Sequence, residues 1–161
     1  MAKQPIISCE FFPPKTEKGA QNLLLVQEKL SVLKPEFYSV TFGAGGSTQD
    51  NTLEAVVEIQ QRAKQTGIGA APHLSCVGSS KERIRTILQT YIDNDISRVV
   101  ALRGDLPSGM RDPGDFRYAN ELVDFIRKET GDHFTIEVAA YPEVHPQAQD
   151  ANSDFENFKR K

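Results

Sequence analysis

Glu10, Thr41, His73, the triplet Arg103-Gly104-Asp105 and the stretch from Tyr141 to His145 each stand where an apolar run of the chain ends. The contexts are Ser-Cys-Glu-Phe-Phe-Pro-Pro, Ser-Val-Thr-Phe-Gly-Ala, Ala-Pro-His-Leu-Ser-Cys, Val-Ala-Leu-Arg-Gly-Asp-Leu and Ala-Tyr-Pro-Glu-Val-His-Pro. An acid, a hydroxyl, an imidazole and an Arg/Asp pair at the exits of buried strands are groups that α/β enzymes use to handle ligands, because such strands discharge onto one face. Several exits of this kind in one chain read as one site.

Each exit suggests a particular chemistry. Glu10 precedes Phe11 and Phe12; aromatic walls and scarce water raise a carboxyl pKa and would suit a general acid at neutral pH. A salt bridge to Lys15 is the plain alternative. Asp105 beside Arg103 is either an ion pair holding a loop or a fixed negative charge placed next to a developing cation. The apolar strand adjoining Arg-Gly-Asp argues against an exposed adhesion motif. His73 interrupts a strand after Pro72, either as a hydrogen-bonded core residue or as a ligand contact. Thr41 leads into Gly43, Ala44, Gly45 and Gly46, where backbone can approach a phosphate or a flat ring closely. Tyr118 and Tyr141 are core residues or stacking partners for a planar ligand. His133 is expected in a solvated turn. With three histidines, no His-x-x-x-His and no Cys-x-x-Cys, no metal site is expected. No Gly-x-Ser-x-Gly or adjacent Cys/His pair points to acyl transfer.

These residues need a scaffold, and its size is bounded by composition. A chain of 161 residues, 39% hydrophobic, can bury one core, so residues 1–161 are read as a single domain. The formal charge of −3 comes without a basic stripe, and Lys159-Arg160-Lys161 reads as a solvated helix end, so nucleic acid is not an expected partner. No apolar run approaches the roughly 20 residues of a membrane span, and no signal-peptide core is visible. Cys9 and Cys76 lie in apolar strands and are expected as buried free thiols, consistent with a reducing cytoplasm.

Strands are read near residues 6–11, 36–42, 69–76, 97–102 and 134–140, as the near-continuous apolar runs typical of parallel sheets. Helices alternate with them. Leu23, Val26, Leu30 and Leu33 are expected on one face of the first. Leu53, Val56, Val57 and Gln60 line the second, which Gly67 ends. Ser79 or Ser80 caps a third carrying Ile84, Ile87, Leu88 and Tyr91. Leu122, Phe125 and Ile126 mark a fourth, ended near Gly131. A fifth starts near Asp150 or Ser153, with Phe155 and Phe158 expected inward, and the sequence stops within it. Such βαβα alternation implies right-handed crossovers. A flavodoxin-like sheet would be complete at five units; a (β/α)8 TIM barrel would here supply only its first five. Polar groups at every strand end favour the barrel, as does Phe11-Phe12-Pro13-Pro14-Lys15 after strand one, which is no phosphate cradle.

Five of these segments resemble methylenetetrahydrofolate reductases of the bacterial flavoprotein type. They are Glu10-Phe11-Phe12-Pro13-Pro14, Ser39-Val40-Thr41-Phe42-Gly43-Ala44, Ala71-Pro72-His73-Leu74-Ser75-Cys76, Leu102-Arg103-Gly104-Asp105-Leu106-Pro107 and Ala139 through Pro146, with Phe158-Lys159-Arg160-Lys161 closing the match. The resemblance covers essentially the whole chain. It implies the N-terminal part of a TIM-barrel catalytic domain lacking the last three units, with FAD held noncovalently at the strand C-termini. The implied activity is reduction of 5,10-methylenetetrahydrofolate to 5-methyltetrahydrofolate. NADH or NADPH first reduces the flavin, in ping-pong fashion, within one-carbon metabolism that feeds methionine biosynthesis. By resemblance Glu10 is the general acid that opens the methylene bridge, and Asp105 steadies the resulting cation near the flavin; both would touch substrate. Thr41, Ala44, His73, Arg103, Gly104, Asp105, Tyr118, Tyr141, His145, Ala148, Asp154, Asn157, Arg160 and Lys161 fall on positions that contact FAD. A homo-oligomer is implied for the full-length form. The alternatives are a non-catalytic flavin- or nucleotide-binding module, and an aldolase-like barrel, for which Lys15 is the nearest but ill-placed lysine.

Overall fold

The computed structural model describes residues 5–42, 46–105, 114–141, 143–145 and 148–161. Along the chain lie β1 (Ser8–Phe11), α1 (Glu17–Leu30), a 3-10 turn (Ser31–Leu33), β2 (Phe37–Val40) and α2 (Gly46–Thr66). Then follow β3 (Gly69–Ser75), α3 (Lys81–Asp93), β4 (Arg98–Leu102), α4 (Ala119–Thr130), β5 (Thr135–Val138) and α5 (Ala151–Lys159). Every strand exit named above is a strand C-terminus in this arrangement.

The five strands form one sheet in the order β1-β2-β3-β4-β5, each pair parallel. A flavodoxin-like sheet would place β1 inside the order, between β2 and β3; sequential order is that of consecutive barrel units. The side chains agree. Tyr38, Val40, Ala70, Leu74, Val99 and Ala101 join one cluster with Val56 and Ile59 of α2, Ile84 and Leu88 of α3, and Leu122 and Ile126 of α4. Helices therefore cover one face of the sheet. Because side chains alternate along a strand, the opposite face carries Glu10, Ser39, His73 and Arg98.

Most helix boundaries fall where the sequence puts them. The Ser80 hydroxyl caps α3 by accepting from the Arg83 amide, and the Asp150 carboxylate caps α5 by accepting from Ser153. Gly67 ends α2 at φ +71 and Gly131 ends α4 at φ +58, conformations costly for other residues. Two expectations are corrected. On α1 the inward stripe is Leu23, Gln27 and Leu30, spaced i, i+4, i+7; Val26 and Leu33 are exposed. Leu33 lies in the tighter 3-10 turn, which rotates it off the helical stripe. Gln27 is buried, and its backbone carbonyl accepts from the Tyr38 hydroxyl at 2.8 Å. On α5, Phe155 and Phe158 are exposed rather than inward. No helix among the described residues is long and apolar enough to cross a membrane.

Leu88 is 1% exposed at the α3–sheet contact. Leu88→Ala is expected to cost about 2–5 kcal/mol, read as a lower urea midpoint at unchanged slope. A loss below about 1 kcal/mol would mean that α3 does not pack as described.

Candidate functional site

Glu10 and His73 are joined by the sheet itself. Glu10 pairs in register with Ser39 and Ser39 with Ala71, so His73 stands one inward-facing position further along β3. Ser39 is small enough to be bridged, and His73 Nε2 lies 3.1 Å from Glu10 Oε2. His73 is buried, whereas the Glu10 side chain is 56% exposed. Burial holds the His73 pKa below the usual imidazole value, and the charge and hydrogen bond of Glu10 only partly offset that. A neutral imidazole facing a carboxylate donates its Nε2–H; facing a carboxylic acid it accepts through the same nitrogen. Either way, the pair keeps one proton between them.

The expected aromatic wall around Glu10 is absent. Phe11 projects to the opposite face, where it meets Tyr38 edge-on at 5.4 Å, and Phe12 is 81% exposed. Alternation along β1 sends the residue after Glu10 away from it, and the chain leaves the sheet before Phe12 can fold back. The partner of Glu10 is His73, through a hydrogen bond, rather than a salt bridge to Lys15. Thr41 follows β2: its amide donates to the Phe11 carbonyl at 2.9 Å, and its own carbonyl accepts from the buried Thr52 hydroxyl at 3.0 Å. Ala44, with Gly43 and Gly45, lies outside the described residues, as do Leu106, Pro107, Pro142 and Pro146.

Beyond β4 and β5 the strand exits open into one cavity of about 960 Å³. Arg103, Gly104, Asp105, Tyr118, Tyr141, His145, Ala148, Asp154, Asn157, Arg160 and Lys161 all line it. Thr41, His73 and Glu10 stand at neighbouring strand ends outside that lining. Asp105 is 97% exposed, and its carboxylate is 3.9 Å from the Arg103 guanidinium, too loose and wet to hold a loop. Tyr118 is the N-cap residue of α4, and the Glu121 carboxylate accepts from the Arg117 amide at 2.6 Å. The loop after β5 is tied to α5: the His145 amide donates to Asp154 Oδ2 at 2.8 Å, and Lys161 Nζ donates to the Ala139 carbonyl at 3.2 Å. Tyr141 and His145 meet edge-on at 4.6 Å.

This donor set suits a long ligand with a flat end and an anionic middle. Arg160 and Lys161 bring positive charge to the α5 side, and Tyr118, Tyr141 and His145 offer ring faces and edges. The volume falls in the range of sites that enclose cofactor-sized molecules. Some lining residues had no chemical signal in the sequence. Phe155 and Phe158 have the helical spacing of core residues, yet they are exposed and line the cavity. Cys76 is buried and its thiol is pushed up to about 11, mainly by burial, so it is no nucleophile. His133 is not merely solvated, since Nε2 lies 3.1 Å from the Ile96 carbonyl. No cluster of metal-ligating side chains occurs among the described residues.

The full chain, residues 1–161, matches the family model for methylenetetrahydrofolate reductase. The 5,10-methylenetetrahydrofolate reductases of Salmonella typhimurium and Escherichia coli are each 47% identical over 155 residues, covering 96% of this chain and 50% of those proteins. An Arabidopsis thaliana protein named methylenetetrahydrofolate reductase (NADH) 1 is 42% identical over 153 residues, 92% of this chain and 25% of its own. The chain thus spans about half the length of the bacterial relatives it matches.

The Glu10–His73 contact makes a testable statement about protons. In an NMR titration His73 should hold its proton only below the range of a free imidazole, and Glu10→Gln should lower that range further by removing the groups that favour the charged ring. Since burial lowers the folded-state value, this residue's contribution to stability is complete above about pH 6.5 and is lost as pH falls from there through the lower folded-state value. An unchanged His73 titration in Glu10→Gln would show that the contact does not form in solution.

Proposed function

The chain belongs to the methylenetetrahydrofolate reductase family, and we propose that it supplies the flavin- and folate-facing half of a barrel that reduces 5,10-methylenetetrahydrofolate to 5-methyltetrahydrofolate with NADH or NADPH. The observation that carries this reading is the convergence on one cavity of side chains from β4 and its exit, from the segment after β5 and from α5, next to the Glu10–His73 pair at the ends of β1 and β3. The chemistry a bound FAD would supply is hydride carriage, from the nicotinamide to the one-carbon unit, in alternating half-reactions at one site. Arg160 and Lys161 would hold its diphosphate, and Tyr118, Tyr141 and His145 its rings.

The protein's own residues would do the rest. A proton leaves Glu10 for a bridge nitrogen of the folate, the carbon–nitrogen bond at that nitrogen breaks, and an iminium cation forms on the other nitrogen, ready to accept hydride. His73 gives Glu10 a hydrogen-bonding partner in both of its protonation states, so the carboxyl keeps one orientation through the step. Asp105 is unencumbered by a tight ion pair and places negative charge beside the developing cation. Thr41, at the end of β2 between β1 and β3, would add its hydroxyl to this rim. The free thiols Cys9 and Cys76 accord with a reducing, cytoplasmic setting.

After incubation with FAD and desalting, the 161-residue chain is expected to retain a flavin absorption spectrum that NADH bleaches. A flavin that stays oxidised with NADH and NADPH would favour a binding module without catalysis. In a chain extended to eight units, Glu10→Gln should keep flavin reduction by NADH and lose folate reduction by at least about a hundredfold. Retained folate reduction would remove Glu10 from the mechanism.

A further inference from the structure

We propose that Ser75 is a positioning residue for the Arg103-Gly104-Asp105 turn, holding the Arg103–Gly104 peptide so that Asp105 faces the cavity; this rests on the flavin reading above. Ser75 is the last residue of β3, on the same sheet face as His73, and pairs in register with Leu102. It does not line the cavity. Its hydroxyl donates to the Arg103 carbonyl at 3.0 Å. The Val77 amide donates to the same oxygen at 2.9 Å, after the Cys76 amide has reached the Leu102 carbonyl at 3.2 Å. The Arg103 carbonyl thereby accepts from a backbone amide and a hydroxyl, its two short bonds, with the weaker Cys76 thiol contact more distant at 3.8 Å. The β3–β4 ladder continues past the end of β4, and Ser75 adds the side-chain bond that ties down the turn.

Gly104 has φ +80, and a Cβ there would lie 2.0 Å from Ser75 Oγ. The serine hydroxyl occupies the space a side chain would need, so glycine and serine fit one another. Arg103 Nε closes the turn from its other side by donating to the Gly104 carbonyl at 3.1 Å. With the peptide fixed at both ends and Gly104 at positive φ, the Asp105 side chain stands 97% exposed at the cavity. A position that merely completed a strand would need no hydroxyl, whereas this one spends its hydroxyl on the single carbonyl that sets the direction of Asp105.

The experiment compares Ser75→Thr with Ser75→Val, which have the same shape and β preference but differ by the hydroxyl. On the 161-residue chain loaded with FAD, three quantities are read: the FAD dissociation constant, the reduction potential of the bound flavin and the thermal midpoint. Ser75→Thr is expected to match the unmodified chain. Ser75→Val should weaken FAD binding by about three- to tenfold, the range of one lost hydrogen bond. It should also shift the potential positively, because a carboxylate drawn away from the flavin no longer opposes the charge gained on reduction. A Ser75→Val that changes only the thermal midpoint would overturn the proposal, leaving Ser75 a plain strand residue. A Ser75→Thr that fails equally would overturn it too. Should neither variant fold, Gly104→Ala decides by the midpoint: in the proposal it is less harmful when combined with Ser75→Ala, which removes the clashing oxygen, and additive losses overturn it. An unmodified chain that binds no FAD would instead sink the flavin reading, and the proposal with it.

Discussion

Parallel pairing of the strands in sequence order is the constraint on which the rest of this structure depends. Five parallel strands send every C-terminal exit to the same rim, so residues far apart in the chain converge without any dedicated contact to bring them there. Right-handed crossovers then place α1 to α4 on one face, where their apolar stripes merge into a single core. The other face is left to residues with chemistry. Glu10, Ser39 and His73 owe their proximity to register alone, and a one-residue slip of β1 would turn Glu10 into the core and Phe11 into the site.

That inner face is more polar than the layers of branched aliphatic side chains usual in barrels. Below the rim, Arg98 pairs with both Glu36 and Glu137 and lies over the Phe37 ring, 4.5 Å from its centroid. Gly69 and Ala71, the small residues that β3 offers on this face, leave room for the arginine to reach across. Breaking such a pair on one side would strand a partly buried charge, a heavier penalty than the pair's own net worth. Two arginines thus mark the two ends of β4: Arg98, its first residue, ties β2, β4 and β5 at the floor, and Arg103, just past its last, lines the cavity at the rim.

Much of this was legible in the sequence because the signals were local. Apolar runs of strand length, Gly67 and Gly131 as stops, and Ser80 and Asp150 as caps each act within a few residues, and the elements fell accordingly. The candidate site was half legible. That acids, an imidazole and tyrosines stand at strand ends follows from reading each run to its end. Which of them touch does not, because contact between Glu10 and His73 depends on strand register and on the small size of Ser39. The aromatic wall failed for the same reason: adjacency in sequence along a strand means opposite faces in space, so Phe11 could not shelter its neighbour. Ser75 gave no sign at all, since its role exists only once Gly104 is folded against it.

Sequential strand order also has a consequence for how the molecule comes to be. Each of the four pairings among the five described strands joins neighbours in sequence, so none of these pairings waits for a distant part of the chain. The loop to be closed for each new pairing is a single helix and its two connections, which keeps contact order low for a parallel sheet. A chain emerging N-terminus first can therefore add units one at a time, with the unpaired side of the latest strand serving as template for the next. The same exposed side that guides the next strand is an invitation to any other strand until that strand arrives. Growth and mispairing compete for one row of hydrogen-bonding groups, and the speed of local closure decides between them.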